Sequence, residues 1–184
     1  MKNFLSTKRL CRAGVIAALY AVLTYVFGAL SHNGFVQIRP AEALCILPLF
    51  YVEAILALYV GCMIANLTSP FAVYDVLLGS LATLLAALLT YFIGKLFKKD
   101  FARVAVGGIP PIVINALFIP VIIVFLCGDI SAANSPLAAY FAVSASLAAT
   151  QSVWVYALGL PLYFLIKRLR EKGVAAFCDL PLKR

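Results

Sequence analysis

The placement of the basic residues constrains this chain most, because the segments between the basic clusters are almost purely apolar. Lysine and arginine residues that flank apolar membrane spans stay on the cytoplasmic side, and 65% of the chain is hydrophobic. The pattern predicts an all-α integral membrane protein and leaves Arg39 as the one basic residue outside the clusters. The three clusters are Lys2, Lys8, Arg9 and Arg12; Lys95, Lys98, Lys99 and Arg103; and Lys167, Arg168, Arg170, Lys172, Lys183 and Arg184.

The 184 residues allow a single membrane domain of about six spans at ~20 residues each. Turn signals such as Asn134-Ser135-Pro136 separate the apolar segments. Six crossings place both termini and all three clusters in the cytoplasm. Spans 2 and 3 are short, so they form either two helices with a tight turn at Glu53 or one kinked, re-entrant element. The predicted spans are residues 13–30, 41–51, 53–67, 75–93, 104–127 and 137–166.

Two amides interrupt the last two spans, where an unpaired polar group is costly. Asn115 lies at the centre of span 5, and Gln151 lies near the centre of span 6, three residues before Trp154. The two amides either bind a ligand or join the spans through one hydrogen bond. Both interpretations remain open from the sequence.

Acidic residues predict a ligand-binding site on the outer side of the membrane. Arg39 and Glu42 are one helical turn apart and can pair. Asp75 either caps a helix or, with Gly79 and Thr83 at a spacing of four, lines a polar groove. An outward-facing mouth with net acidic character favours a cationic or donor-rich small molecule. The lone His32 is weak evidence for any function.

Small residues follow one face of span 1 at a spacing of four: Ala13, Ala17 and Ala21. In lipid, small residues matter because they let helix backbones approach closely. The row serves either packing inside this bundle or docking to a separate membrane subunit. A similar row in span 3 favours packing inside the bundle.

Missing motifs exclude several functions. The chain has no G-x-x-x-x-G-K-[ST], so it does not bind ATP through a P-loop. It has no H-E-x-x-H, no G-x-S-x-G and no Cys/His cluster, and its five cysteines are scattered, as small apolar residues would be. We therefore expect no enzyme activity, no cofactor and no metal site. The basic clusters lie at membrane junctions, which argues against nucleic acid as a partner.

Several runs resemble the QueT family over nearly the whole chain. They are residues 37–44 (QIRPAEAL), 61–66 (GCMIAN), 75–87 (DVLLGSLATLLAA, the most specific), Asn115-Ala116 and 156–162 (YALGLPL). The resemblance implies a six-helix substrate-binding (S) component of an energy-coupling factor importer for queuosine precursors in the bacterial plasma membrane. It also implies a transmembrane coupling subunit and two ATPase subunits as partners, which alone would bind ATP. The family pattern has Gly-Glu where this chain has Thr150-Gln151.

A deazapurine ligand offers N–H donors that a carboxylate or amide oxygen accepts, and its ring can stack on Trp154. The alternatives are an S component for a different vitamin-like molecule or, without ATPase partners, a stand-alone transporter or a membrane enzyme. For docking to the coupling subunit we expect Ala13, Ala17 and Ala21. The candidate substrate-binding residues are Arg39, Glu42, Asn66, Asp75, Asn115, Gln151 and Trp154.

Overall fold

The computed structural model describes residues 6–32, 36–97, 99–174 and 176–178. Every regular element in these ranges is helical, which confirms the all-α prediction for them. Lys2, Lys98, Lys183, Arg184 and residues 33–35 of the predicted outer loop lie outside the described residues. The helices are α1 (Thr7–Phe27), a central 3₁₀ helix (Pro40–Leu49), α2 (Glu53–Asn66), α3 (Ala72–Leu96), α4 (Asp100–Leu126) and α5 (Pro136–Glu171).

Four of these helices, α1, α3, α4 and α5, are long and apolar enough to cross a membrane. The central 3₁₀ helix and α2 are apolar but shorter. Each of the six helices overlaps one predicted span, and the ends differ by a few residues.

Local signals in the sequence explain where the long helices begin and end. The Ser135 hydroxyl accepts a hydrogen bond from the backbone N–H of Ala138 at 3.3 Å, and Pro136 occupies the first turn of α5. Both are favourable at a helix start. Helix α1 ends at Gly28, whose φ of 45° is a backbone conformation that glycine adopts without a steric penalty.

The central 3₁₀ helix accounts for the shortness of predicted span 2. A 3₁₀ helix rises ~2.0 Å per residue against 1.5 Å for an α-helix, so ten residues extend ~20 Å instead of ~15 Å. All ten of its residues are buried, and it contacts α1, α2, α3, α4 and α5. Residues 50–52 separate it from α2, which begins at Glu53. The two short segments are therefore separate helices.

The alanine row of α1 packs inside the chain. Ala17 and Ala21 are only 9% and 6% exposed. A Cβ atom at Gly61 of α2 would lie 2.8 Å from the Ala17 carbonyl oxygen, so the two backbones are in direct contact. The burial of Ala17 and Ala21 favours the packing interpretation, Ala13 is half-buried beside them, and docking of this row to a second subunit stays a prediction.

The adjoining row on α1 points away from the chain. Gly14 and Ala18 are both exposed. A Cβ atom at Gly14 would meet no atom within 4 Å. The small residues that another helix could approach closely are therefore one position further along the chain than we expected.

Ion pairs gather at one end of the bundle, which we call the basic end and define by Arg12, Arg103 and Lys167. The Arg12 guanidinium lies 3.2 Å from the Glu53 carboxylate, and Lys167 pairs with Asp100. Arg103 donates a hydrogen bond to the carbonyl oxygen of Leu49, the last residue of the central 3₁₀ helix. These contacts join the ends of five helices, all but α3. The segments 28–32, 36–39, 67–71 and 127–135 lie at the opposite end, which we call the loop end.

Candidate functional site

A polar cavity lies in the half of the bundle nearer the loop end. The free space between its walls is narrow in this conformation, about 10 Å³, close to the room that one water molecule needs. Its walls come from the segment before the central 3₁₀ helix, the first turn of that helix, and parts of α2, α3 and α4. The lining residues are His32, Gln37, Arg39, Glu42, Asn66, Phe71, Asp75, Gly79, Thr83, Asn115, Ile119 and Ile123.

The Glu42 carboxylate is the most deeply buried charge in the cavity wall, at 1% exposure. Its Oε1 accepts a hydrogen bond from the Tyr20 hydroxyl at 2.8 Å. Its Oε2 accepts from Asn115 Nδ2 at 3.4 Å and from Cys45 Sγ at 3.3 Å. A buried carboxylate without such partners would be strongly destabilising, so these donors hold it in place.

Arg39 provides the positive charge beside Glu42. Its Nε lies 3.8 Å from Glu42 Oε1, which agrees with the predicted pairing one helical turn apart. The same guanidinium donates to Asn66 Oδ1 at 3.2 Å, and Asn66 Nδ2 donates to the Asp75 carbonyl oxygen at 2.8 Å. Arg39, Asn66 and α3 therefore form one connected wall.

Asp75 is half-buried and lines the same cavity. It lies inside α3 and accepts a hydrogen bond from the Ser69 hydroxyl, so it does not act as the helix cap that the sequence also allowed. Residues Asp75–Gly79 form a π-helical turn, a feature that often occurs at functional sites. Gly79 and Thr83 follow on the cavity wall, as the predicted groove requires.

Asn115 and Gln151 meet as expected, with Asn115 Nδ2 donating to Gln151 Oε1 at 3.1 Å. The interpretation as a hydrogen bond between the spans is therefore confirmed, and ligand binding by the two amides stays a prediction. The bond joins α4 to α5, while Asn115 also lines the cavity and reaches Glu42. Gln151 lies behind Asn115 and is not part of the lining.

Trp154 is not brought to the cavity. It is half-buried, and its ring centroid lies 6.5 Å from that of Phe27 at the end of α1. Residues Trp154–Leu158 form a π-helical turn, a change in helix winding that no sequence pattern indicated. Phe71 is the aromatic residue that lines the cavity.

Several residues at the site were absent from our candidates, among them Tyr20, Cys45, Gln37 and Phe71. A hydroxyl in the middle of an apolar span could have identified Tyr20, which is fully buried and needs a partner. Gln37 belongs to the 37–44 run that carried the family resemblance. Cys45 and Phe71 gave no signal beyond their apolar character.

His32 also lines the cavity, at its loop end. Partial burial and the positive charge of Arg39 lower the pKa of the imidazole to about 4, with burial as the larger cause. The side chain is therefore neutral at physiological pH. The site then contains one guanidinium and two carboxylates as its charged groups.

A family model described as QueT transporter matches residues 10–168. The chain belongs to the QueT transporter family. The resemblance in the sequence is thus confirmed. Members of this family are transporters, and with its long apolar helices this QueT chain is a membrane protein and not an enzyme.

One curated relative is the "Queuosine precursor transporter QueT" of Lactococcus lactis subsp. cremoris (strain MG1363). It is 38% identical over 89 residues, which is 47% of this chain and 52% of the relative. The match therefore spans about half the length of the relative. No solved structure matches the chain.

The contact between Tyr20 and Glu42 gives a first test. A hydrogen bond to a charged group contributes about 1.5–3 kcal/mol, so we expect Tyr20→Phe to lower the free energy of unfolding by about that amount. Unfolding of the purified protein by sodium dodecyl sulfate would measure it. Tyr25→Phe is the matched control, because the Tyr25 hydroxyl donates to a neutral acceptor, the Ile64 carbonyl oxygen, at an exposed position. Equal losses in both variants would contradict a special role for Tyr20.

Proposed function

We propose that this chain is the substrate-binding subunit of an energy-coupling factor importer in a bacterial plasma membrane, and that it binds a positively charged queuosine precursor. Membership of the QueT transporter family and the name of the curated relative support the transport of such a precursor. The geometry of the polar cavity supports the charge of the substrate.

The charge balance of the cavity carries the proposal. Arg39 offsets one carboxylate, Glu42, which it approaches to 3.8 Å. Asp75 is a second carboxylate on the same cavity. Charged groups in a low-dielectric site need a partner of opposite sign. A ligand with a single positive charge would supply the partner for Asp75.

Aminomethyl-deazaguanine has this combination of features. Its amine is a cation that a carboxylate binds through a charge-assisted hydrogen bond, and its ring system is flat. Phe71 is the aromatic residue available for stacking against such a ring, a contact that contributes ~1–3 kcal/mol per base in other proteins. In this arrangement Asn66 and Asn115 hold the carboxylate wall, and Gln151 supports Asn115 from behind.

Asp75 provides the test of the charge. We expect the purified chain to bind aminomethyl-deazaguanine more tightly than the neutral cyano-deazaguanine, which has the same ring. Asp75→Asn should weaken binding of the amine by at least about tenfold, equivalent to ~1.4 kcal/mol, and change binding of the cyano compound little. Isothermal titration calorimetry measures both affinities.

Asp129→Asn is the matched control for Asp75→Asn. Asp129 lies in the segment 127–135, where its side chain accepts a hydrogen bond from the backbone N–H of Ser131 at 3.0 Å. Hydrogen bonding from the Ser131 side chain, and then from its backbone N–H, lowers the pKa of the Asp129 carboxyl, so the control removes a negative charge at the same end of the bundle. If both ligands bind equally well, or if Asp129→Asn acts like Asp75→Asn, the cavity is not the cation site.

The orientation in the membrane belongs to the same proposal. With six crossings, the basic end is cytoplasmic and the loop end, where the cavity lies, is external. We expect a membrane-impermeant maleimide added to intact cells to label Ser131→Cys but not Lys172→Cys. Alanine at Cys11, Cys127 and Cys178 removes background labelling. Labelling of the cysteine at position 172 and not of the one at position 131 would reverse the topology.

An importer of this type needs a transmembrane coupling subunit and two ATPase subunits, because the chain has no P-loop of its own. The exposed small residues Gly14 and Ala18 are the surface where a helix of the coupling subunit could approach closely. This face replaces the buried Ala17 and Ala21 in our docking proposal.

We expect Gly14→Trp to prevent co-purification with the ATPase subunits and to leave ligand binding unchanged, since a bulky ring blocks helix approach without a clash inside the chain. Ala149→Trp, at an exposed position of α5, is the control and should assemble normally. A Gly14→Trp chain that retains its ATPase partners would exclude this face as the docking surface.

A further inference from the structure

Besides Arg39 Nε, which faces the Glu42 carboxylate at 3.8 Å, two polar atoms in the cavity wall have no hydrogen-bond partner among the described residues: Gln37 Oε1 and His32 Nε2. Both residues line the cavity, and Gln37 is only 6% exposed. Buried polar groups in native proteins almost always have a partner, so each exception calls for an explanation such as an absent ligand. Neither group is needed to hold the carboxylates, whose donors are other residues.

The segment that carries Gln37 and His32 is fixed to the end of α1. The backbone N–H of Ile38 donates to the Leu30 carbonyl oxygen at 2.9 Å. The hydroxyl of Ser31, a fully buried residue, lies 3.1 Å from the Ile38 carbonyl oxygen. These bonds hold Ile38 against Leu30 and Ser31, so the backbone beside Gln37 and His32 has a defined position before a ligand arrives.

The polar groups of the cavity therefore divide into two sets. Glu42 and Asp75 carry charge and come from the central 3₁₀ helix and α3. Gln37 carries no charge and comes from the segment before the central 3₁₀ helix. A carboxylate attracts any nearby cation, whereas a neutral amide oxygen discriminates by whether an N–H donor lies within hydrogen-bond reach.

We propose that Gln37 is the specificity-determining residue for the neutral hydrogen-bonding edge of the ligand. Its Oε1 accepts an N–H from the exocyclic amino group of a planar heterocycle, of the kind that a guanine-type base presents. His32 Nε2 is a second polar contact on the same wall. The inference rests on the proposed function because it concerns the same cavity, but it does not depend on the charge of the ligand.

Discrimination of this kind is strong in protein sites. A site built to hydrogen-bond a substrate N–H rejects an analogue that lacks it, because the buried acceptor of the protein then stays unpaired. Gln37 should therefore set the ratio of affinities between two otherwise identical bases. Asp75 should set the ratio between charged and neutral substituents.

The test uses the purified full chain and two neutral probes, 7-deazaguanine and 7-deazahypoxanthine, which differ only in the exocyclic amino group. We expect the wild-type chain to prefer 7-deazaguanine by at least about tenfold in calorimetry. Gln37→Leu should reduce this preference to less than about twofold, since leucine offers no acceptor. Gln37→Glu keeps an acceptor and should retain the preference. Gln37→Met, which is closer in shape to glutamine, replaces Gln37→Leu if that variant does not fold.

Gln151→Leu is the matched control, because the Gln151 oxygen already accepts a hydrogen bond from Asn115. This variant should lower the affinity for both probes by the same factor and leave the ratio of the two affinities unchanged. A folded Gln37→Leu or Gln37→Met chain that keeps the wild-type ratio overturns the inference, as does a Gln151→Leu chain that loses it.

The two proposals fail in different ways. If the preference for the amino group depends on Gln37 but the aminomethyl and cyano compounds bind equally, the cation proposal is overturned and the role of Gln37 stands. If aminomethyl-deazaguanine binds through Asp75 but the wild-type chain does not distinguish the two neutral probes, the role of Gln37 is overturned alone. A wild-type chain that binds none of the four compounds overturns both.

Discussion

The carboxylate of Glu42 is a full negative charge in the interior of an apolar bundle, and the partners it requires link most of the structure. Tyr20 donates from α1 and Asn115 donates from α4, while Arg39 and Cys45 contact it from either side along its own chain segment. Removal of one partner from a buried charge is far more costly than the pair is worth. The relative positions of α1, α4 and the central 3₁₀ helix are thus set by electrostatics as well as by packing.

The same network gives the cavity its polar character. Arg39 reaches Asn66 of α2, and Asn66 reaches the Asp75 carbonyl oxygen at the π-helical turn of α3. Each contact that stabilises the buried charge also aligns a side chain along the cavity wall. A substitution of Glu42 or Asn66 is therefore expected to change both stability and ligand binding. A substitution of Asp75 or Gln37 is expected to change ligand binding more than stability, because these side chains make fewer contacts with other helices.

The sequence predicted the helices and most of the polar wall because both depend on residues that are close together in the chain. Apolar runs end at basic clusters or turn residues, and an interrupting residue such as Asn115 or Asp75 is evident where it occurs. The winding of a helix, and the face that it turns toward its neighbours, cannot be predicted from such local patterns. The 3₁₀ geometry of Pro40–Leu49, the π-helical turn that includes Trp154 and the burial of Ala17 instead of Gly14 depend on neighbours distant in the chain. The partner of Tyr20 could not be predicted for the same reason, since Glu42 is 22 positions away.

The central 3₁₀ helix has a consequence for how this chain can vary in length. Its first turn holds Glu42 in the cavity wall, and its last residue, Leu49, accepts a hydrogen bond from Arg103 at the basic end. With three residues per turn, one inserted residue would rotate everything after it by about 120° and displace it by ~2 Å. The two ends could not then both keep their partners. Substitutions that preserve side-chain volume can be absorbed here, whereas an insertion or deletion of even one residue cannot.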